Sequence, residues 1–174
     1  MTGRTSWYVC LLVALVSWFV VTAAAAQETP LQEAKRLQES ATRLNDQGKY
    51  GLGIEAATRS LALKEQALGS EHPEVADSVH LLARLQTSAG RYDLALAGFQ
   101  RAFTMREKVL GPEHPATARS LVNVAKLHYL IDEYSKAEPL YQRVLAILEK
   151  NPGSDDVLLG NALHWRTSPG NCRY

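Results

Sequence analysis

The sequence predicts an all-α fold, an α-solenoid of stacked antiparallel helix pairs, from two observations. One six-residue pattern is written twice, since LGSEHP at Leu68–Pro73 returns 42 residues later as LGPEHP at Leu110–Pro115. The three tyrosines Tyr50, Tyr92 and Tyr134 keep the same 42-residue step. A fixed step in this range is typical of stacked repeats, because one short unit cannot bury its apolar face alone.

The first 26 residues have the layout of a secretory signal peptide. Arg4 precedes an apolar run over residues 7–21, and Ala24 and Ala26 supply the small residues of a cleavage site. The run is shorter than the roughly 20 apolar residues that span a bilayer comfortably. We therefore predict a cleaved signal and a secreted or periplasmic mature protein without a stable membrane span. The alternative is a protein anchored to the membrane by an uncleaved N-terminal segment.

Charge and cysteine content exclude several classes of function. The chain has 19 Lys and Arg against 18 Asp and Glu, and loss of the leader removes only Arg4, so no excess of positive charge points to nucleic acid. The mature chain keeps Cys172 alone, which excludes an internal disulfide and a cysteine metal cluster. No phosphate loop, nucleophile elbow or zinc-protease motif is present. The prediction is a protein that is not an enzyme and needs no cofactor or metal.

Apolar residues at steps of three and four predict a repeat domain over residues 27–150, made of about three helix pairs. The predicted helices run from Leu31 to about Gly48, Lys49 to Ala67, Pro73 to Ala89, Tyr92 to about Val109, Pro115 to Ile131 and Glu133 to Lys150. Residues 151–174 are predicted to be a partial fourth repeat, with a further helix from Asp155 to about Trp165, or an irregular C-terminal tail.

The Glu-His-Pro triplets are predicted to start helices. Proline suits the first helical position because it has no N–H to leave unpaired there. His72 and His114 precede such prolines, so we interpret them as parts of a repeated helix start and not as metal ligands. At the turns, Gly48 and Gly90 are replaced in the third unit by Asp132, a residue type that tolerates left-handed backbone geometry.

Small residues in register mark where paired helices approach closely. Two series keep the 42-residue step, namely Ala41, Ala83 and Ala125, and Gly53, Ala95 and Ala137. The tyrosines and Phe99 occur at helical spacing, which predicts core positions for them.

These residues resemble a known repeat family. The series Glu71-His72-Pro73, Ala76, Ser78, Leu82-Ala83, Gly90, Tyr92, Ala95, Phe99, Arg101-Ala102 and its copy ending at Tyr134–Val144 are similar to the 42-residue tetratricopeptide repeat of kinesin light chain. The resemblance spans about residues 31–165. It implies a right-handed superhelix whose first helices line a concave, peptide-binding face. Where that family carries paired asparagines, this chain has His80-Leu81 and Val122-Asn123.

A candidate binding groove follows from the side of each first helix that faces away from its partner helix. Its predicted members are Lys35, Gln38, His80, Arg84, Arg119, Val122, Asn123, Lys126 and Tyr129. On this side of the first helices, which also carries Asp77, four residues are basic and only Asp77 is acidic. This favours an acidic or C-terminal carboxylate segment as ligand, although a solvated helix face has the same pattern.

The sequence thus predicts an exported protein–protein interaction scaffold that binds a protein or peptide in this groove. The alternative is an incomplete accessory or regulatory repeat segment of a larger enzyme or secretion machine. No oligomeric state is predicted.

Overall fold

Three antiparallel helix pairs form the described part of the chain. The computed structural model describes residues 28–151, 160 and 162–163, and these residues contain helices but no strand. The helices are α1 (Pro30–Asp46), α2 (Tyr50–Leu68), α3 (Pro73–Ser88), α4 (Tyr92–Leu110), α5 (Pro115–Leu130) and α6 (Tyr134–Lys150). Each helix packs on the next, so the predicted all-α solenoid is confirmed.

Both predicted terminal segments fall largely outside the described residues. The predicted signal peptide, residues 1–26, is one of them. In the predicted tail helix, Gly160, Ala162 and Leu163 are helical, and Ala162 is fully buried in one cluster with residues of α5 and α6.

The predicted helix starts are confirmed at α3 and α5. The Nδ1 atom of His72 accepts a hydrogen bond from the backbone N–H of Glu74 at 3.2 Å, and that of His114 accepts from Ala116 at 3.1 Å. Each histidine therefore pairs one of the N–H groups that the first turn of a helix leaves without a partner. The Glu-His-Pro triplet therefore has a structural role, and the Nδ1 atom of its imidazole serves as the helix cap.

The turns inside the pairs require left-handed backbone geometry. Gly48 and Gly90 have φ values of 72° and 73°, and Asp132 has a φ of 61° at the equivalent place. The prediction that aspartate tolerates this turn is confirmed. The Asp132 carboxylate also accepts a hydrogen bond from the Tyr134 hydroxyl at 2.6 Å.

Close packing within the pairs follows the small residues. All five alanines of the two predicted series are 0% exposed. The closest approach includes a glycine outside those series, because a Cβ atom added to Gly98 would lie only 2.9 Å from the Cβ of Ala83. Contact between α3 and α4 at this point therefore depends on the absence of side-chain volume.

The prediction for the aromatic residues holds only in part. Phe99 and Tyr141 are 4% and 5% exposed and belong to the core. Tyr50 and Tyr134 are 38% and 36% exposed, so a core position is wrong for them. Both are the first residue of a second helix, beside a turn, where one side of the ring meets solvent.

Helix α1 has a polar outer face. Val75 and Leu85 of α3 are buried against the preceding pair, whereas the residues 42 positions earlier are Glu33 and Arg43. Accordingly α1 buries two residues and α5 buries nine. The polar face of α1 therefore resembles the outer face of a capping repeat.

Ion pairs that the sequence analysis did not identify connect successive second helices. Arg101 of α4 pairs with Glu65 of α2 at 2.5 Å, and Arg143 of α6 pairs with Glu107 of α4 in the same relation one repeat later. Exposed pairs contribute little energy individually. Their repetition at the 42-residue step nevertheless favours one register between neighbouring pairs.

Candidate functional site

A cleft of about 200 Å³ opens between α3 and α5. Its lining residues are Arg84, Thr87, Ser88, Phe99, Asn123, Lys126, Leu127 and Leu130. Most of them come from the C-terminal halves of the two first helices, while Phe99 reaches the cleft from α4. The cleft combines the apolar residues Phe99, Leu127 and Leu130 with polar and cationic ones.

Two cations of the cleft occupy the same repeat position. Arg84 on α3 and Lys126 on α5 are 42 residues apart, and both side chains are exposed. Neither forms an ion pair with any residue in the range 28–151. The same position in α1 is Thr42, so the cationic pair belongs to the second and third repeats only.

Of the nine predicted groove residues, the structure brings three together in the cleft. These are Arg84, Asn123 and Lys126. Arg119 is exposed nearer the start of α5, and Lys35 is exposed on α1. The side chain of Asn123 donates a hydrogen bond to the backbone carbonyl of Arg119 at 2.8 Å, which fixes the amide at the cleft wall.

Three other predicted members have partners within the protein. Val122 is 6% exposed, lies in a core cluster and is not among the residues that line the cleft. Gln38 accepts a hydrogen bond from Lys64 at 2.7 Å. Tyr129 packs edge-on against Tyr134, with ring centroids 5.2 Å apart.

The apolar surface of the cleft was not predicted. It comes from Phe99, Leu127 and Leu130, none of which is in the predicted set. Phe99 and Leu127 were hidden because their periodicity marks them as core residues, and they are indeed 4% and 1% exposed. Leu130 is 44% exposed at the last turn of α5. Its place at the end of a predicted helix was the one sequence signal for an apolar residue at the surface.

His80 is half-buried and contacts a residue that lines the cleft. Its ring packs edge-on against Phe99, with centroids 5.3 Å apart and an interplanar angle of 62°. Burial, followed by the charge of Arg106 and then of Arg84, lowers the pKa of His80 to about 4. The imidazole is therefore neutral at pH 7.

Asp77, the one acid of the predicted groove, is neutralised by a residue that the sequence analysis missed. Arg106 of α4 pairs with the Asp77 carboxylate at 2.6 Å and donates a second hydrogen bond to the Ser120 hydroxyl at 2.5 Å. The groove face is consequently more positive than its count of acids and bases indicates.

Metal and membrane features are absent from the described residues. No group of three His, Cys, Asp or Glu side chains among them is arranged to hold a metal ion. Within the same residues, no helix combines the length and the apolar character needed to cross a bilayer.

Comparison with known families decides the identity of the repeat. The family model described as tetratricopeptide repeat matches residues 37–107 and 87–150, which together are more than half of the chain. The chain belongs to the tetratricopeptide repeat family. Proteins of this family are generally non-enzymatic scaffolds for protein–protein interaction. No curated protein sequence matches the chain.

Solved structures share this tetratricopeptide fold. The kinesin-light-chain-type TPR-like repeats of Podosopora anserina superpose with a TM-score of 0.68 at 24% identity, over 81% of this chain and 70% of that one. BtubC (BKLC) from P. vanneervenii gives 0.71 at 16% identity, over 84% and 60%. The Sgt2 TPR domain of Aspergillus fumigatus gives 0.56 at 13% identity, over 78% of each chain. These similarities confirm the architecture that the 42-residue step predicts.

Proposed function

We propose that this tetratricopeptide repeat protein is an exported scaffold that holds an acidic segment of a partner protein in the cleft between α3 and α5. The observation that carries the proposal is the pair of exposed cations, Arg84 and Lys126, on either side of an apolar floor. Stacked first helices lie about 10 Å apart. One extended segment can therefore reach both cations at once.

The chemistry of the cleft favours carboxylates next to apolar side chains. The planar guanidinium of Arg84 can hold a carboxylate through two hydrogen bonds, and Lys126 adds a second positive charge. Phe99, Leu127 and Leu130 offer the floor to an apolar side chain of the same segment. Because the cations are exposed, their attraction weakens as salt shortens the screening length to about 8 Å at physiological strength.

Removing both cations is expected to weaken binding. The double variant Arg84→Ala, Lys126→Ala should lose about 1–3 kcal/mol of binding free energy for each charged hydrogen bond that is removed. A suitable probe is a fluorescent peptide of alternating glutamate and leucine residues, measured by anisotropy at several salt concentrations. Lys49→Ala is the matched control, since Lys49 is an exposed cation before α2, outside the cleft.

The proposal requires that peptide affinity decrease both when the two cations are removed and when salt is added. The wild type and Lys49→Ala should bind equally well and lose affinity as salt is added, whereas the double variant should bind weakly at every salt concentration. Equal binding by all three proteins would mean that the cationic face is only solvated surface.

Export is the second part of the proposal. It rests on the arrangement of Arg4, the apolar run over residues 7–21 and the alanines before Gln27. Cleavage after Ala26 would leave the described fold intact, because the capping box of Thr29 and Gln32 that begins α1 lies beyond it. The mature protein is expected to start at Gln27. N-terminal sequencing of the exported protein tests this, and a sequence that begins at Met1 would indicate an uncleaved anchor.

A further inference from the structure

We propose that binding of an anionic segment in the cleft is coupled to uptake of a proton by His80, so that mild acidification strengthens binding. This inference rests on the proposed function and concerns the regulation of the same cleft. It follows from where the imidazole lies and from which charges surround it.

The position of His80 connects it to the cleft. Phe99 packs against its ring and also lines the cleft, so the imidazole contacts a residue of the cleft floor. The Nδ1 atom is buried and has no hydrogen-bond partner within residues 28–151. A buried ring nitrogen without a hydrogen-bond partner destabilises the folded protein, and protonation of the ring does not by itself supply a partner.

The charges around His80 come from all three packed helices. Burial is the main cause that disfavours a cationic imidazole, and Arg106 on α4, Arg84 on α3 and Arg119 on α5 add to it. Asp77 opposes them, but its carboxylate is engaged by Arg106. In the free protein these causes hold the pKa of His80 at about 4, compared with 6.5 for an ordinary histidine.

A carboxylate segment bound in the cleft would neutralise the exposed charge of Arg84. Negative charge beside Arg84 offsets its repulsion of a protonated imidazole and attracts that imidazole directly, so the pKa of His80 rises when the ligand binds. Linkage is reciprocal, and the ligand therefore binds more tightly to the protonated protein. The residues at the equivalent positions, Gln38 and Val122, cannot titrate, so the coupling belongs to the second repeat alone.

The experiment compares the mature protein with His80→Gln, the residue type that α1 carries at this position. Binding of the glutamate–leucine peptide is measured by titration calorimetry near pH 7 and near pH 5, in buffers of different ionisation enthalpy. For a pKa rise of about one unit, the gain in affinity near pH 5 should be about twofold larger in the wild type than in His80→Gln. On binding, the wild type should take up a fraction of a proton more than His80→Gln does. The glutamates of the probe titrate equally in both measurements and cancel.

A second measurement does not depend on the variant. The ring signals of His80 are followed by NMR against pH, with and without the peptide, and the midpoint should rise when the peptide is bound. An unchanged midpoint, or an equal pH response in wild type and His80→Gln, overturns the coupling while leaving the proposed function intact. Failure of the wild type to bind the peptide at either pH overturns both.

Discussion

Replacing Ala83 with leucine is expected to lower the free energy of unfolding by about 1–3 kcal/mol, the range for added volume in a packed core. Ala83 is 0% exposed, and it faces Gly98 at a point where even one added carbon on the glycine would lie 2.9 Å away. The three additional carbons of leucine have no space unless α3 and α4 separate. Urea denaturation, with the midpoint and the slope determined together, measures the change.

A matched control uses the same substitution on the surface. Ala97 lies on α4, one residue before Gly98, and is exposed. Ala97→Leu adds the same volume without overpacking, so its free energy of unfolding should stay within about 0.5 kcal/mol of the wild type. If Ala83→Leu and Ala97→Leu denature at the same midpoint, α3 and α4 do not meet as closely as described.

Stability is expected to fall by about 3 kcal/mol through His80 alone as the pH decreases from 6.5 to 4. Below pH 6.5 the unfolded chain binds a proton at this residue, while burial and the neighbouring arginines keep the folded form neutral until pH 4 is approached. The unfolded state thus binds more protons across this window. The free energy of unfolding must then decrease with falling pH.

The variant His80→Gln isolates this contribution from the protonation of carboxylates. It should lose less stability than the wild type between pH 6.5 and 4, and the two curves should run parallel above that window. Urea denaturation at a series of pH values gives both curves. Parallel curves across the whole range would show that His80 titrates in the folded protein as it does in the unfolded chain.

The fold was predictable because each repeat carries local sequence signals for helix starts and turns. The Glu-His-Pro triplets start helices, and Gly90 or Asp132 reverses the chain, through the backbone geometry of a few adjacent residues. Six helices in three pairs follow from these local signals and the apolar spacing. The ion pairs of Glu65 and Glu107 with arginines also keep the 42-residue step, so the same comparison of repeats contained the signal for them.

The site was less predictable because equivalent positions do not have equivalent neighbours. His80 and Val122 occupy equivalent repeat positions, yet His80 packs against Phe99 of the cleft and Val122 lies in a core cluster. Likewise, Gly98 escapes the small-residue series because Ala56 and Leu140 stand at its repeat positions. Periodicity indicates which face a residue shares, whereas its burial depends on the side chains that the adjacent pair presents.

The most direct test of the central claim is to map where the glutamate–leucine peptide contacts the labelled protein, by the changes it causes in backbone amide NMR signals. An acidic segment held in the cleft predicts the largest changes in the C-terminal halves of α3 and α5, around Arg84, Thr87, Asn123 and Lys126. The Arg84→Ala, Lys126→Ala variant should lose these changes. Perturbations centred instead on the second helices, around Arg101 and Arg143, would contradict the proposed groove.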